Sequence, residues 1–183
     1  MKKILKRILT GVLAVAMVLT MMPISTPTVQ AAEDKTTYEI YPNPHEMSYQ
    51  DGEFVIRQEV NVVFEETIDS VTQKRMNEVL ASKNKKVTTS QKKVEGKTNI
   101  LVGTYNSKGY VDTYVKEHYN VAASLFEKFG ANFVASNNGE IVVLGRDTDA
   151  AFYGITSLKH IFNQMNGSTI RNFTIKDYAD TNI

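Results

Sequence analysis

The residues of this chain able to do chemistry are few, and each stands in a context that limits its use. Asp147 and Asp149 form a close acidic pair beside Gly145. Most glycoside hydrolysis needs two carboxylates, one to donate a proton and one to act as nucleophile or base. Two acids just ahead of an apolar-periodic segment are also what a helix N-terminus attracts, and capping accounts for both. His45, His118 and His160 lie far apart without an i, i+4 pair, so no metal site is assigned. Gly103, Gly109 and Gly145 follow or flank apolar runs, but none belongs to a G-x-G-x-x-G or G-x-x-x-x-G-K pattern, and they read as turns. Ser124 and Ser157 lack the G-x-S-x-G setting of a hydrolase nucleophile. Tyr38, Tyr41, Tyr49, Tyr105 and Tyr110 could offer aromatic faces to a sugar. Half-buried sheet or domain-interface tyrosines are the stronger reading. No catalytic, cofactor-binding or metal-ligating residue is therefore assigned.

The elements that would position such residues begin after a leader. Lys2, Lys3, Lys6 and Arg7 precede a nearly continuous apolar stretch from Ile8 to Met22, Pro23 breaks it, and Val29-Gln30-Ala31 supplies small residues of the kind a signal peptidase reads. Residues 1–31 are read as a signal peptide and 32–37 as a polar leader. The apolar stretch is shorter than the roughly 20 residues a membrane-spanning helix needs, and no later segment is long enough either. Removing the four basic residues of the signal from the 21 in the chain leaves 17 against 20 acidic, a net of −3. That balance argues against nucleic acid and anionic lipid as partners. The run Lys83, Lys85, Lys86, Lys92 and Lys93 reads as a solvated helix end and loop. With no cysteine, an exported chain has no disulfide framework, and about 150 residues must hold together by core packing alone. A Lys-rich signal without cysteine points to a bacterial source, where Asn166-Gly167-Ser168 and Asn172-Phe173-Thr174 are chance matches to the glycosylation pattern.

Strand and helix signals alternate through the rest. Tyr38 to Tyr41 reads as extended, with Pro42 and Pro44 keeping the next residues out of helix. Asp51-Gly52 predicts a tight turn into Phe54-Val55-Ile56, and Val60 to Phe64 the next strand. A helix is predicted from Ile68 to Ser82, capped by Asp69 or Ser70, with Ile68, Val71, Met76, Val79 and Leu80 inward. Asn99 to Gly103 suits a central strand. A weaker helix covers Tyr110 to His118, and Leu125, Phe126 and Phe129 add a further turn. Ala131 to Ser136 and Glu140 to Leu144 form a hairpin through Asn138-Gly139. From Asp149 to Met165, Ala151, Ile155, Leu158, Phe162 and Met165 step by four, three, four and three, the period of a helix buried on one side. Gly167 stops it, and a strand runs from Thr169 to Ile175 with Phe173 and Ile175 on one face. The expected architecture is α/β of the α+β type: a mixed, largely antiparallel sheet with helices packed on one face.

Several of these stretches carry a family likeness. Tyr38-Glu39-Ile40-Tyr41-Pro42-Asn43-Pro44 followed by Asp51-Gly52-Glu53-Phe54, the strand Ile141-Val142-Val143-Leu144-Gly145, and above all Asp147-Thr148-Asp149-Ala150-Ala151-Phe152-Tyr153-Gly154-Ile155-Thr156-Ser157-Leu158 resemble the N-terminal α/β domain of bacterial β-N-acetylhexosaminidases of glycoside hydrolase families 84 and 20. Secreted family 84 enzymes of the O-GlcNAcase and hyaluronidase type are the nearest likeness. The resemblance implies a zincin-like fold over residues 38–178, with Gly154 on a helix packed close to the sheet. It also implies a catalytic TIM barrel as partner, in cis or in trans, to which residues 179–183 would begin the linker. The implied reaction is retaining hydrolysis assisted by the substrate's own acetamido group. The catalytic acids of such enzymes lie in barrel loops, so none is carried over here. The chain by itself is expected to be a non-catalytic accessory domain of a secreted β-N-acetylglucosaminidase, with no cofactor. A freestanding secreted glycan-binding or interaction module is the alternative reading, and a small enzyme a third.

The signal architecture predicts a mature N-terminus at Ala32 in culture supernatant. N-terminal sequencing checks it, and full-length chain in the membrane fraction would refute it.

Overall fold

The structure, a computed structural model, describes residues 37–137 and 139–180. The proposed signal peptide lies outside the described residues, as does Asn138 of the hairpin turn. Seven strands form one sheet: β1 Glu46–Val55, β2 Glu59–Phe64, β3 Lys86–Thr89, β4 Thr98–Thr104, β5 Asn132–Asn137, β6 Glu140–Gly145 and β7 Thr169–Asp177. Their order is β1-β7-β5-β6-β4-β2-β3. The β1-β7, β7-β5 and β5-β6 pairs are antiparallel, whereas β6-β4, β4-β2 and β2-β3 are parallel. The sheet is thus mixed, as expected, with its antiparallel half at the β1 end.

Three α-helices connect the strands: α1 Ser70–Ala81, α2 Tyr110–His118 and α3 Thr148–Gln164. Side chains of α1 and α3 share one apolar cluster with Val60, Val62, Ile100, Val102, Ile141 and Val143. On the opposite face, Val111 and Val115 of α2, with Leu125 and Phe126 of a 3-10 helix at Ala123–Glu127, cover Val63, Leu101, Val142 and Leu144. The expected helical face is the one under α1 and α3; the second cover is an addition. Its signal lies in the unbroken run Ile141 to Leu144, because consecutive strand residues point to opposite faces and four apolar ones in a row need both faces covered.

Local chemistry explains most boundaries. Asp69 caps α1, its carboxylate accepting from Thr72 N at 2.7 Å, and Asp147 caps α3 by accepting from Ala150 N at 2.9 Å. The buried face of α3 carries Ala151, Ile155, Leu158 and Phe162, as its period requires, and Gly154 faces Val143 and Val134. The hairpin has the predicted register, with Asn137 opposite Glu140 and Gly139 at φ 91°.

Some expectations need correction. Residues 37–40 form no strand; instead Tyr38 N donates to Tyr49 Oη, and Tyr38 Oη accepts from Arg171 N, so the segment is held by side chains. Asp51-Gly52 is not a turn between two strands but an irregularity inside β1, where pairing with β7 shifts between Tyr49 and Glu53, and Gly52 takes φ 92°. Val71 is 64% exposed, its place in the α1 core taken by Thr72. Phe129 likewise faces outward. The basic run hides the short edge strand β3, which the alternation Lys86, Val87, Thr88, Thr89 encodes too briefly to separate from a loop.

Leu158 is fully buried, and Leu158→Ala is expected to destabilise by about 2–5 kcal/mol. At Gly145 an added Cβ would lie 2.3 Å from Ala151 N and 2.4 Å from Asp147 O, backbone atoms that cannot rotate away. Gly145→Ala should therefore cost about 1–3 kcal/mol or more, as overpacking does. Denaturant melts check both, and unchanged midpoints would mean that α3 is not seated as described.

Candidate functional site

The acids, histidines and serines singled out from the sequence do not converge. Asp147 caps α3 and Asp149 stands exposed in its first turn. His118 stacks on Tyr114 at 4.0 Å, while His160 accepts from Tyr41 N through Nδ1 at 3.1 Å. Ser157 donates to Tyr153 O within α3, and Ser124 is exposed on the 3-10 helix. Among the described residues no group of three His, Cys, Asp or Glu is placed to hold a metal ion. The five tyrosines divide between regions. Tyr38 and Tyr49 lie 6.1 Å apart beside Tyr41, whereas Tyr105 stacks on Phe126 at 4.3 Å and Tyr110 packs near Tyr114. Of the five, Tyr41 presents its ring, at 86% exposure.

Two polar clusters missed in the sequence are structural. Glu65, buried at the end of β2, accepts from Thr104 N, Ser107 Oγ and Asp112 N at 2.7–3.0 Å. It thereby caps α2 from another part of the chain, where the N-cap residue Gly109 offers no side chain. A Cβ on Gly103 or Gly109 would come within 2.6 Å of that carboxylate. Those glycines are thus spaces for Glu65 and not turns, Gly103 lying inside β4. In the second cluster, Glu140 accepts from Tyr114 Oη, Tyr119 Oη and Lys93 Nζ. Burial, reinforced by the Glu140 carboxylate, pushes the Tyr119 hydroxyl well above its ordinary value. Burial disfavours the Lys93 ammonium, but its bonds to Glu140 and Tyr114 outweigh that and hold it above the usual lysine range. The cluster ties the loop before β4 and the end of α2 to the hairpin.

The corner where β7 ends is different in kind, because it gathers exposed aromatic surface. His45, just ahead of β1, stacks on Tyr178 with ring centroids 3.6 Å apart. Its Nδ1 lies 3.0 Å from Asp177 Oδ1 and its Nε2 2.9 Å from Asp180 Oδ1. Lys128 Nζ sits 3.5 Å from the Tyr178 ring centroid, and Ala179 N donates to Phe129 O at 2.9 Å. These contacts fix the heading of residues 177–180. Beside them, Tyr153 is 53% and Phe129 44% exposed. A cavity of about 200 Å³ opens here, lined in part by Tyr41, Asn132, Tyr153, Asp177 and Tyr178. No sequence pattern marks this grouping, since its members come from separate stretches of chain.

The carboxylate of Asp177, hydrogen-bonded to the imidazole, raises the His45 pKa above its ordinary value; desolvation opposes this, and the Asp180 charge adds to the rise. With both ring nitrogens against carboxylate oxygens, the cationic form, which donates from both, suits the site.

Comparison with known proteins places these features in a wider setting. The family model described as glycosyl hydrolase family 20, domain 2, matches residues 37–178. Among solved structures, the protein named CpGH84D is similar at 44% identity with a TM-score of 0.77, over 79% of this chain and 24% of that one. A β-N-acetylhexosaminidase from Bacteroides fragilis NCTC 9343 shares the fold at 17% identity and TM-score 0.50, over 75% of this chain and 24% of its own. A family 20 exo-β-N-acetylglucosaminidase from Vibrio harveyi does so at 11% identity and TM-score 0.52, over 75% and 18%. The chain spans about a quarter or less of each of these proteins.

Because the His45 pKa is raised on folding, its contribution is complete below the unfolded value of about 6.5 and is lost as pH rises through the folded value. An NMR titration should give His45 a pKa above about 6.5, reduced in Asp180→Asn. Amide protection at residues 178–180 should fall across the same interval, and a His45 that titrates normally would refute the clamp.

Proposed function

This chain belongs to the glycosyl hydrolase family 20, domain 2, family, and from that membership we propose that it is a non-catalytic accessory domain of a secreted β-N-acetylglucosaminidase acting on glycoconjugates. In this reading it is exported by the signal at residues 1–31 and works against a catalytic TIM barrel. The observation that carries the reading is the corner at the end of β7. Tyr41, Tyr153 and Phe129 expose large apolar surface there, beside a tail held in one direction by His45, Asp177 and Tyr178. Clustered exposed aromatics of this kind mark contact surfaces, and a fixed exit direction is what a second domain packed alongside would need.

The similarity to CpGH84D supports a family 84 setting. The acids available here support a non-catalytic role: Glu65 and Asp112 are closed in by backbone donors, and Asp147 is engaged as a cap. A second reading, a freestanding glycan-binding module, draws on the cleft beside Tyr41. That cleft is bordered by Tyr38, Tyr49, His160, Asn163 and Gln164, and the exposed Tyr41 ring offers a face on which a sugar could stack.

The mature chain is expected to leave a chromogenic N-acetylglucosaminide unhydrolysed. It should associate with the remainder of CpGH84D when the segment matching this chain has been deleted from that protein. Calorimetry and a turnover assay check both. Turnover by the chain alone, abolished by Asp147→Asn or Asp149→Asn, would overturn the accessory reading.

A further inference from the structure

The cavity at the β7 corner has a composition that selects its occupant. Asn132, on β5 and 1% exposed, lines it. Its Nδ2 donates to Gly130 O at 3.3 Å, while its Oδ1 has no hydrogen-bond partner. A buried amide oxygen left unpaired is unusual, because it forfeits the hydrogen bond that water supplied in the unfolded chain. The hydroxyls nearby supply no donor for it. Thr156 Oγ1 donates to Phe152 O at 3.1 Å and accepts from Arg75 Nη2 at 3.4 Å, and Ser157 Oγ donates to Tyr153 O at 3.5 Å. Asp177 adds a carboxylate whose Oδ1 already faces His45. His160, whose Nδ1 accepts from Tyr41 N, carries its proton on Nε2 and is a donor on the wall. Asn132 Oδ1 is thus the unmet acceptor of the lining and Asp177, already facing His45, its one carboxylate, while the aromatic residues Tyr41, Tyr153 and Tyr178 also line the space.

Resting on the accessory-domain reading above, we propose that this cavity is a socket for an arginine side chain presented by the catalytic partner, its guanidinium donating to Asn132 Oδ1 and Asp177 beside the Tyr41 and Tyr153 rings. A guanidinium fits on three counts. It offers five N–H donors and no acceptor, which suits the unmet Asn132 oxygen and the Asp177 carboxylate. Its plane stacks on aromatic faces and its charge is attracted by them. Being weakly hydrated, it enters a confined space more readily than an ammonium. Lys128, a cation at the corner, is already placed over Tyr178. At about 200 Å³ the space suits one long side chain and excludes a helix or strand.

The test uses the full mature chain, isotope-labelled, with ethylguanidinium as the probe and methyl N-acetyl-β-glucosaminide as the competing ligand class. Ethylguanidinium should give saturable shifts of the Asn132 side-chain amide and the Tyr153 ring, and the glycoside none. Asn132→Leu should abolish the response. Since that variant can fail to fold, the exposed Tyr153→Ala is the second, and it should weaken binding about tenfold. The same Tyr153→Ala should weaken association with the segment-deleted CpGH84D. No response to ethylguanidinium, or a response to the glycoside alone, overturns the socket. Equal association of that partner with wild type and Tyr153→Ala also overturns it while leaving the accessory reading intact. Saturation by ethylguanidinium without any association supports the socket chemistry and removes the accessory reading instead.

Discussion

Helix α3 lies so close to the sheet that a methyl group at Gly154 would sit 2.9 Å from Val143 Cγ1 and 3.0 Å from Val134 Cγ2. The two valines belong to β6 and β5, the strands at which the parallel half of the sheet meets the antiparallel half. The rest of the architecture hangs on this contact. α3 carries the chain from β6 over β5 to β7, and β5 pairs antiparallel with both. Only a helix lying flat on that junction lets β7 enter in register. Glycine in mid-helix is unfavourable by about 1 kcal/mol relative to alanine, and here the close approach offsets that cost by allowing Ile155, Leu158 and Phe162 to reach full burial.

The parallel half is finished by polar groups that only a fold can bring together. Asn61 on β2 and Asn99 on β4 join side chain to side chain at 3.0 Å, and Asn99 also bonds the backbone of Val94 in both directions. The crossing from β3 to β4 is fixed across the sheet this way, with each amide satisfied by backbone or by the other. Lys85 acts similarly just ahead of β2, its ammonium donating to Ile56 O and Ser168 Oγ. Burial there holds its pKa below the ordinary lysine value. Glu65 closes the α2 side, as a cap supplied from a distance.

Against this closed interior, the β7 corner stands out by what it leaves open. Elsewhere the acids of the described chain that are buried find backbone or lysine donors, as Asp112 does with Asn106 N, Lys108 N and Lys116 Nζ. At the corner an acceptor is buried without a partner, aromatic rings face outward, and a histidine between two carboxylates aligns the tail. Arg75 Nε and Asn172 Oδ1 are also buried without a partner, but at the corner alone an unmet acceptor meets outward rings and an aligned tail. In the proposed accessory role the core supplies the rigidity and this edge the recognition.

The helices, the hairpin and the central strands were legible in the sequence because their signals are local. The period of Ala151, Ile155, Leu158 and Phe162, the carboxylates of Asp69 and Asp147 next to the amides they cap, and Asn138-Gly139 between two apolar runs each specify structure within a few residues. The resemblance carried by residues 147–158 indicated the fold and family for the same reason. Tertiary structure alone decided the rest. Whether Asp51-Gly52 turns the chain or bulges a strand depends on β7 lying alongside, and β3 exists only because β2 offers an edge for four residues to pair with. Gly103 and Gly109 owe their identity to Glu65, a residue far from both in sequence. The corner joins Tyr41, His45, Asn132, Tyr153 and Tyr178, residues with no shared period or spacing. Residue identity sets what each side chain can donate, accept or bury, and the sheet decides which of them meet.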